Sequence, residues 1–336
     1  MSQRSAARAR ATRSNGHREV GRLERMRKEL PLTAMSATGT LAMRLHDLTG
    51  RDVLDLESLQ ELVALGYRAA EVRNAHKRGR YNVDDFGFDR DYTNALVPIF
   101  RLLYKKYWRV EAFGLEVLPR SGPALLVSNH SGVLPLDGAM IEVAVLDAVD
   151  RYARALIASW FGGLPMVSWL LRRTGQTLGH PDDSLRLLKR GELVLVFPEG
   201  VRGTGKPFSE RYRLRRFGRG GFVEVALRAG APIIPISVVG AEEIYPMIAD
   251  LQIVAKLIGM PYFPVTPTWP WLGPLGLIPL PSKWRIRFHP PVRTDDYGPS
   301  AADDPSIVMR ISDQVRETIQ AGLVADLMER RSVFRG

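Results

Sequence analysis

Ala124-Leu125-Leu126-Val127-Ser128-Asn129-His130-Ser131-Gly132-Val133-Leu134-Pro135-Leu136-Asp137 is the stretch that decides the fold. It opens as an unbroken apolar run and passes at once into small and polar residues. That is how a strand buried on both faces looks where it ends in a loop. About 60 residues on, Leu193-Val194-Leu195-Val196-Phe197 repeats the pattern and runs into Pro198-Glu199-Gly200-Val201-Arg202. Ala155 to Ala158 and Pro232 to Val239 supply two more strands. The segments from Asp137 to Leu146, Asp183 to Lys189 and Phe217 to Arg228 read as helices. Short strands separated by helices predict an α/β domain whose mostly parallel or mixed central sheet is flanked by helices.

Outward from this core, four regions are expected: a disordered basic tail at 1–35, a helical N-terminal region at 36–90, the main domain at 91–300 and a C-terminal amphipathic helix at 301–336. Val53, Leu56, Leu59, Leu62, Val63, Tyr67 and Ala70 mark a helix over 52–76, with Asp52 and Asp55 near its start. Residues 82–87 read as a loop. A second helix runs from Tyr92 to Tyr107, with Pro98 either kinking it or marking its first turn. Lys105, Lys106 and Arg109 beside Tyr104, Tyr107 and Trp108 suit either a lipid interface or simple packing. Residues 257–292 interleave prolines with Tyr262, Phe263, Trp269, Trp271 and Trp284. The segment is too apolar for a solvated linker, so it lies against the core or dips into lipid headgroups. The last helix begins near Asp304-Pro305 and carries Val308, Ile311, Val315, Ile319, Leu323 and Leu327 on one stripe.

Composition sets the outer limits. The 336 residues, 45% hydrophobic, can bury one large core. With no cysteine there is no disulfide framework, thiolate nucleophile or cysteine-held metal. A net charge of +11 points to anionic partners. No run approaches the roughly 18 apolar residues of a spanning helix, and the basic amino terminus lacks the apolar block of a secretory signal. The expected location is cytoplasmic, peripherally associated with the membrane.

Ligand sites of α/β sheets gather at the carboxyl ends of strands, where the two polar segments fall. A histidine side chain can take a proton from a substrate hydroxyl at physiological pH, which makes His130 a candidate base, and Asp137 can orient its other ring nitrogen. Asp137 near a helix start also fits an ordinary N-cap. No Gly-x-Ser-x-Gly elbow accompanies the pair, which favours direct transfer over a covalent intermediate. Lys206, Arg211, Arg213, Arg215, Arg216 and Arg219 follow the second segment as a basic stretch matched to phosphate or simply solvated.

Asn129-His130 with a following Asp, then Phe-Pro-Glu-Gly-x-Arg, then Ala231-Pro232-Ile233-Ile234-Pro235 resembles the glycerolipid (lysophospholipid) acyltransferase superfamily across roughly residues 93–295. The resemblance implies His130 as general base, Asp137 as its orienting acid, and Asn129, Glu199, Gly200 and Arg202 as the acceptor site, with Arg202 on phosphate. It places Pro232 on a motif linked to the acyl donor, and Arg211, Arg215 and Arg216 become candidate donor or anion contacts. It implies an acyl thioester donor (acyl-coenzyme A or acyl carrier protein), a lipid acceptor, a membrane surface as partner, and no metal or prosthetic group. Nucleic acid is disfavoured as a partner.

Three departures from the family pattern stand out. Six residues separate His130 from Asp137 where four are usual, Val201 replaces Thr, and Arg154-Ala155-Leu156 stands where a Lys-Glu-Leu type motif is common. The longer Asn-His-Ser-Gly-x-x-Pro-x-Asp form is more similar to the branch related to monoacylglycerol acyltransferases, so a neutral acceptor stays open. The expected activity is O-acyl transfer to a lysophospholipid or glycerolipid hydroxyl. Alternatives are transfer to a neutral acceptor, a thioesterase or lipid hydrolase using the same pair, and a non-catalytic lipid-binding protein.

Overall fold

A computed structural model describes residues 82–335, except 132–133, 159–164 and 258, together with scattered positions between 66 and 79. The expected basic tail and most of the helix over 52–76 lie outside the described residues.

The buried runs form strands as expected. Along the chain come α1 (Arg90–Leu102), β1 (Glu111–Phe113), β2 (Ala124–Ser128), α2 (Leu136–Val149), β3 (Ala153–Ile157), α3 (Pro165–Arg173), β4 (Thr177–Leu178), α4 (Pro181–Lys189), β5 (Leu193–Val196) and the one-turn α5 (Val201–Thr204). They are followed by α6 (Gly221–Ala229), β6 (Ile233–Val239), β7 (Ala249–Asp250), α7 (Gln252–Leu257), β8 (Pro264–Val265), β9 (Arg285–Phe288) and α8 (Pro305–Glu329). Seven strands make one sheet in the order β1-β9-β6-β2-β5-β3-β4, and β7 pairs with β8 outside it. Neighbours in the large sheet are parallel except β6 and β9, which are antiparallel.

Both faces of the sheet are covered, which is why its strands read as continuous apolar runs. Within β2, Leu126 joins Met140, Ile141, Trp108 and Trp284 on one face, while Leu125 and Val127 join Leu187, Val223, Val308 and Val315 on the other. The terminal helix α8 is set by Asp304, whose carboxylate accepts from Ser306 N at 2.8 Å, with Pro305 in its first turn. Its stripe of Val308, Ile311, Val315, Ile319 and Leu323 is buried.

Four expectations shift. Pro98 lies inside α1 rather than in its first turn, and α1 continues into a π-helical turn at Leu103–Tyr107. The basic and aromatic cluster, open between a lipid interface and simple packing, resolves to packing at Trp108, which is wholly buried and stacks on Trp284 at 4.9 Å. The helix expected from Phe217 begins only at Gly221, because Gly218 and Gly220 adopt positive φ. Finally, the proline-rich segment divides: Trp284 and Tyr262 are buried, whereas Trp271, Leu275 and Ile278 are exposed.

Candidate active site

Parallel register brings the two polar segments together. Leu126 pairs with Leu195 and Val127 with Val196, so the chain leaves β2 and β5 side by side at the same edge of the sheet. His130 follows β2 and stacks on Phe197, which follows β5, at 4.2 Å between ring centres.

Asp137 sits in the first turn of α2, fully buried. Its Oδ2 lies 2.8 Å from His130 Nδ1 and accepts from Ser131 N at 2.9 Å, while Oδ1 accepts from Gly138 N at 2.9 Å. The helix N-cap is Pro135, without a side-chain capping bond, so Asp137 does not act as the N-cap. The longer spacing still closes the pair. With Nδ1 committed to a buried carboxylate, Nε2 is the ring nitrogen left for a proton-accepting role, and the imidazole lines the main cavity.

Glu199 is buried and braces both sides of this edge. It accepts from His130 N at 3.1 Å and from Arg215 N at 2.7 Å. Lys206 approaches Glu199 at 3.5 Å and Glu242 at 3.2 Å, and Tyr212 N donates to Glu242 at 3.1 Å. Burial pushes the Glu242 carboxyl up to about 7, against the pull of the Lys206 ammonium. Gly203 packs so tightly that an added Cβ would lie 2.8 Å from Glu199 Cβ and 3.0 Å from His130 Cβ. Gly200, at φ 55° and ψ −145°, makes the turn into α5 in a conformation that L side chains rarely adopt.

The remaining expected site residues are placed differently from one another. Arg202 is exposed on α5 with no ion pair or hydrogen bond among the described residues. Asn129 is fully buried, and its amide bridges to β6, donating to Val238 O at 3.1 Å and accepting from Val238 N at 2.8 Å. Its hydrogen-bonding groups serve the frame rather than a ligand. Pro232 precedes β6 at the opposite end of the sheet. Its carbonyl accepts from Leu125 N near the start of β2, roughly 15–20 Å along the strands from His130. A direct donor contact at the dyad is therefore out of its reach. Lys206 is buried, which removes it from the solvated basic stretch. Arg211 lies over Phe208, Arg215 pairs with Glu210, and Arg216 is exposed.

Sequence reasoning missed the cavity itself. It measures about 900 Å³ and runs from His130 along α2, with walls drawn from α1, β3, α3 and Tyr262. Most of its lining is aliphatic or aromatic, including Leu96, Phe100, Val143, Leu146 and Leu171. Glu142 is a polar exception: burial raises its carboxyl to about 8, while Gln176 and Arg154 oppose the shift.

Residues 109–239 match the family described as Acyltransferase. An uncharacterized protein of Mycobacterium tuberculosis is 52% identical over 261 residues, covering 77% of this chain and 73% of its own length. Human 1-acyl-sn-glycerol-3-phosphate acyltransferase alpha is 32% identical over 170 residues, or 46% of this chain and 56% of that protein. A chicken protein named "DGAT1/2-independent enzyme synthesizing storage lipids" is 28% identical over 186 residues, or 55% of this chain and 52% of its own. With the matched residues spanning both polar segments and six of the seven strands of the sheet that carries them, this chain belongs to the acyltransferase family and is an acyltransferase.

Proposed function

We propose that the chain moves a fatty acyl group from an acyl thioester, carried by coenzyme A or acyl carrier protein, to a hydroxyl of a lysophospholipid or other glycerolipid. One observation carries this reading: the His130–Asp137 pair opens onto a large cavity with a predominantly apolar lining. The acceptor oxygen attacks the thioester carbon as its proton passes to His130 Nε2. The C–S bond then breaks, and the departing thiolate takes the proton back from the imidazolium. Asp137 holds the ring and stabilises its charged form. Arg202, exposed beside the cavity-lining Gly200 and Val201, suits the acceptor phosphate.

A neutral acceptor is the second reading. Val201 supplies no hydroxyl to the site, and the chicken relative is named for storage lipids. In either reading the substrates reside in a membrane, and the chain meets that surface peripherally. Among the described residues no helix is long and apolar enough to cross a bilayer. In the chain between β6 and β9, Ile253 and Leu257 are 79% and 81% exposed and Trp271 is 71% exposed, apolar side chains that suit contact with lipid. The π-helical turn at Leu103–Tyr107 carries Lys105, and its Tyr107 hydroxyl donates to Pro279 O in the same stretch of chain.

The test is transfer from radiolabelled long-chain acyl-coenzyme A and acyl carrier protein to lysophosphatidate, other lysophospholipids, monoacylglycerol and a long-chain alcohol. Product on a phosphorylated acceptor that falls with Arg202→Ala supports the first reading. Product on neutral acceptors alone selects the second. Release of free fatty acid with no acylated lipid, or binding without turnover of any acceptor in the panel, would overturn both readings of the acceptor.

A further inference from the structure

The stripe that α2 presents to the cavity is Gly138, Ala139, Glu142, Val143 and Leu146. Four of these five suit a hydrocarbon chain, and one does not. Glu142 faces Gln176 across the cavity wall: Gln176 Nε2 donates to its two oxygens at 2.9 and 3.1 Å. The carbonyl oxygen of Gln176 is already occupied by the Thr174 hydroxyl. Arg154 is close enough to favour the charged carboxylate but makes no bond to it. Its Nε binds Gly175 O at 2.9 Å, and its Nη2 is buried with no partner. One amide donor leaves most of the capacity of a carboxyl group unused. Ionised, it has lone pairs to spare; protonated, it has an O–H with no acceptor among the described residues. Leaving that capacity empty against a plain methylene chain is costly, because a buried polar group stripped of water needs a partner.

We propose that Glu142, seconded by Gln176, is a polar subsite that selects an acyl chain bearing a mid-chain hydroxyl. The inference rests on the reading of this cavity as the acyl-chain site. Asp137, which holds His130, lies five residues earlier on the same helix. At 1.5 Å of rise per residue, Glu142 is about 7–8 Å farther along the cavity. An extended chain advances ~1.3 Å per carbon, so the group that meets Glu142 sits about six carbons beyond the thioester carbon. A hydroxyl there donates to the carboxylate, or accepts from the carboxylic acid, and the subsite works in both protonation states.

The decisive experiment is displacement of a fluorescent fatty acid by stearate and by hydroxystearates with the hydroxyl near the carboxyl, at mid-chain, or at the methyl end. Wild type is expected to bind the mid-chain isomer about tenfold more tightly than stearate. Glu142→Leu removes or reverses that preference, and Glu142→Gln, which can still donate and accept, keeps much of it. Equal binding of stearate and the mid-chain isomer by wild type overturns the subsite, as does a preference untouched by Glu142→Leu. The readout needs no turnover. Absence of transfer to the proposed acceptors with the mid-chain preference intact would overturn the acceptor reading and support the subsite, and failure of every fatty acid to displace the probe would overturn both the cavity assignment and the subsite.

Discussion

Two regions meet at His130 and are built on opposite plans. The strand edge around the imidazole is polar, and its groups are bound to one another: Asp137 holds three partners, Glu199 two backbone amides, and Lys206 two carboxylates. The cavity beyond it is a broad apolar surface gathered from several elements. The first holds its side chains through several hydrogen bonds each, as the positioning of a proton-transfer group requires. In the reading proposed above, the second takes the acyl chain, with Glu142 as a local polar exception. On that reading, reaction type is concentrated in a few side chains and substrate choice is spread over many.

If that division holds, changes at the edge act on rate or folding and changes in the cavity act on selectivity. Asp137→Asn has the largest expected effect, a kcat loss of roughly 10²–10⁴-fold, because the ring loses its orienting charge. Steady-state kinetics at saturating donor check it, and a change confined to KM would break the comparison. Lys206→Met should cost about 3–5 kcal/mol of stability, read from denaturant midpoints, since Glu199 and Glu242 are left buried without their shared cation. Leu146→Trp fills the cavity away from the dyad. Long-chain transfer should fall about tenfold while short-chain transfer persists, measured by donor competition.

A pH effect sharpens the account of Glu142. Its carboxyl is raised to about 8 from an ordinary 4.5, so the folded protein holds this proton more tightly than the unfolded chain. Its contribution to stability is fully present below about pH 4.5 and is lost as pH rises through about 8, a change on the order of a few kcal/mol. Glu142→Gln should flatten that decline in thermal melts across the interval. An unchanged slope would remove Glu142 as its source.

The strand edge was legible because its signals are local. Two apolar runs, each ending in a short polar segment, already imply adjacent strand ends, and His130 and Glu199 fall where a parallel sheet collects its sites. Lys206 was not legible: in a run of basic residues nothing distinguishes the one that turns inward to two buried carboxylates. Pro232 was assigned to the donor by its motif alone, and a motif does not say which end of the sheet it occupies: the structure puts it at the end away from His130. Asn129, expected at the acceptor, ties β2 to β6 because its amide matches both backbone groups of Val238. The cavity left no motif, because its aliphatic lining uses the same residue types as the core. Only the folded arrangement separates a Leu that faces a cavity from one that fills space.

The most direct test of the central claim compares acyl transfer by wild type and His130→Ala, both at saturating thioester and acceptor, with melts to confirm that the variant is folded. Loss of transfer by roughly 10²–10⁴-fold in a folded variant is the result predicted for a general base. Transfer at the wild-type rate would contradict it and move the chemistry away from the dyad.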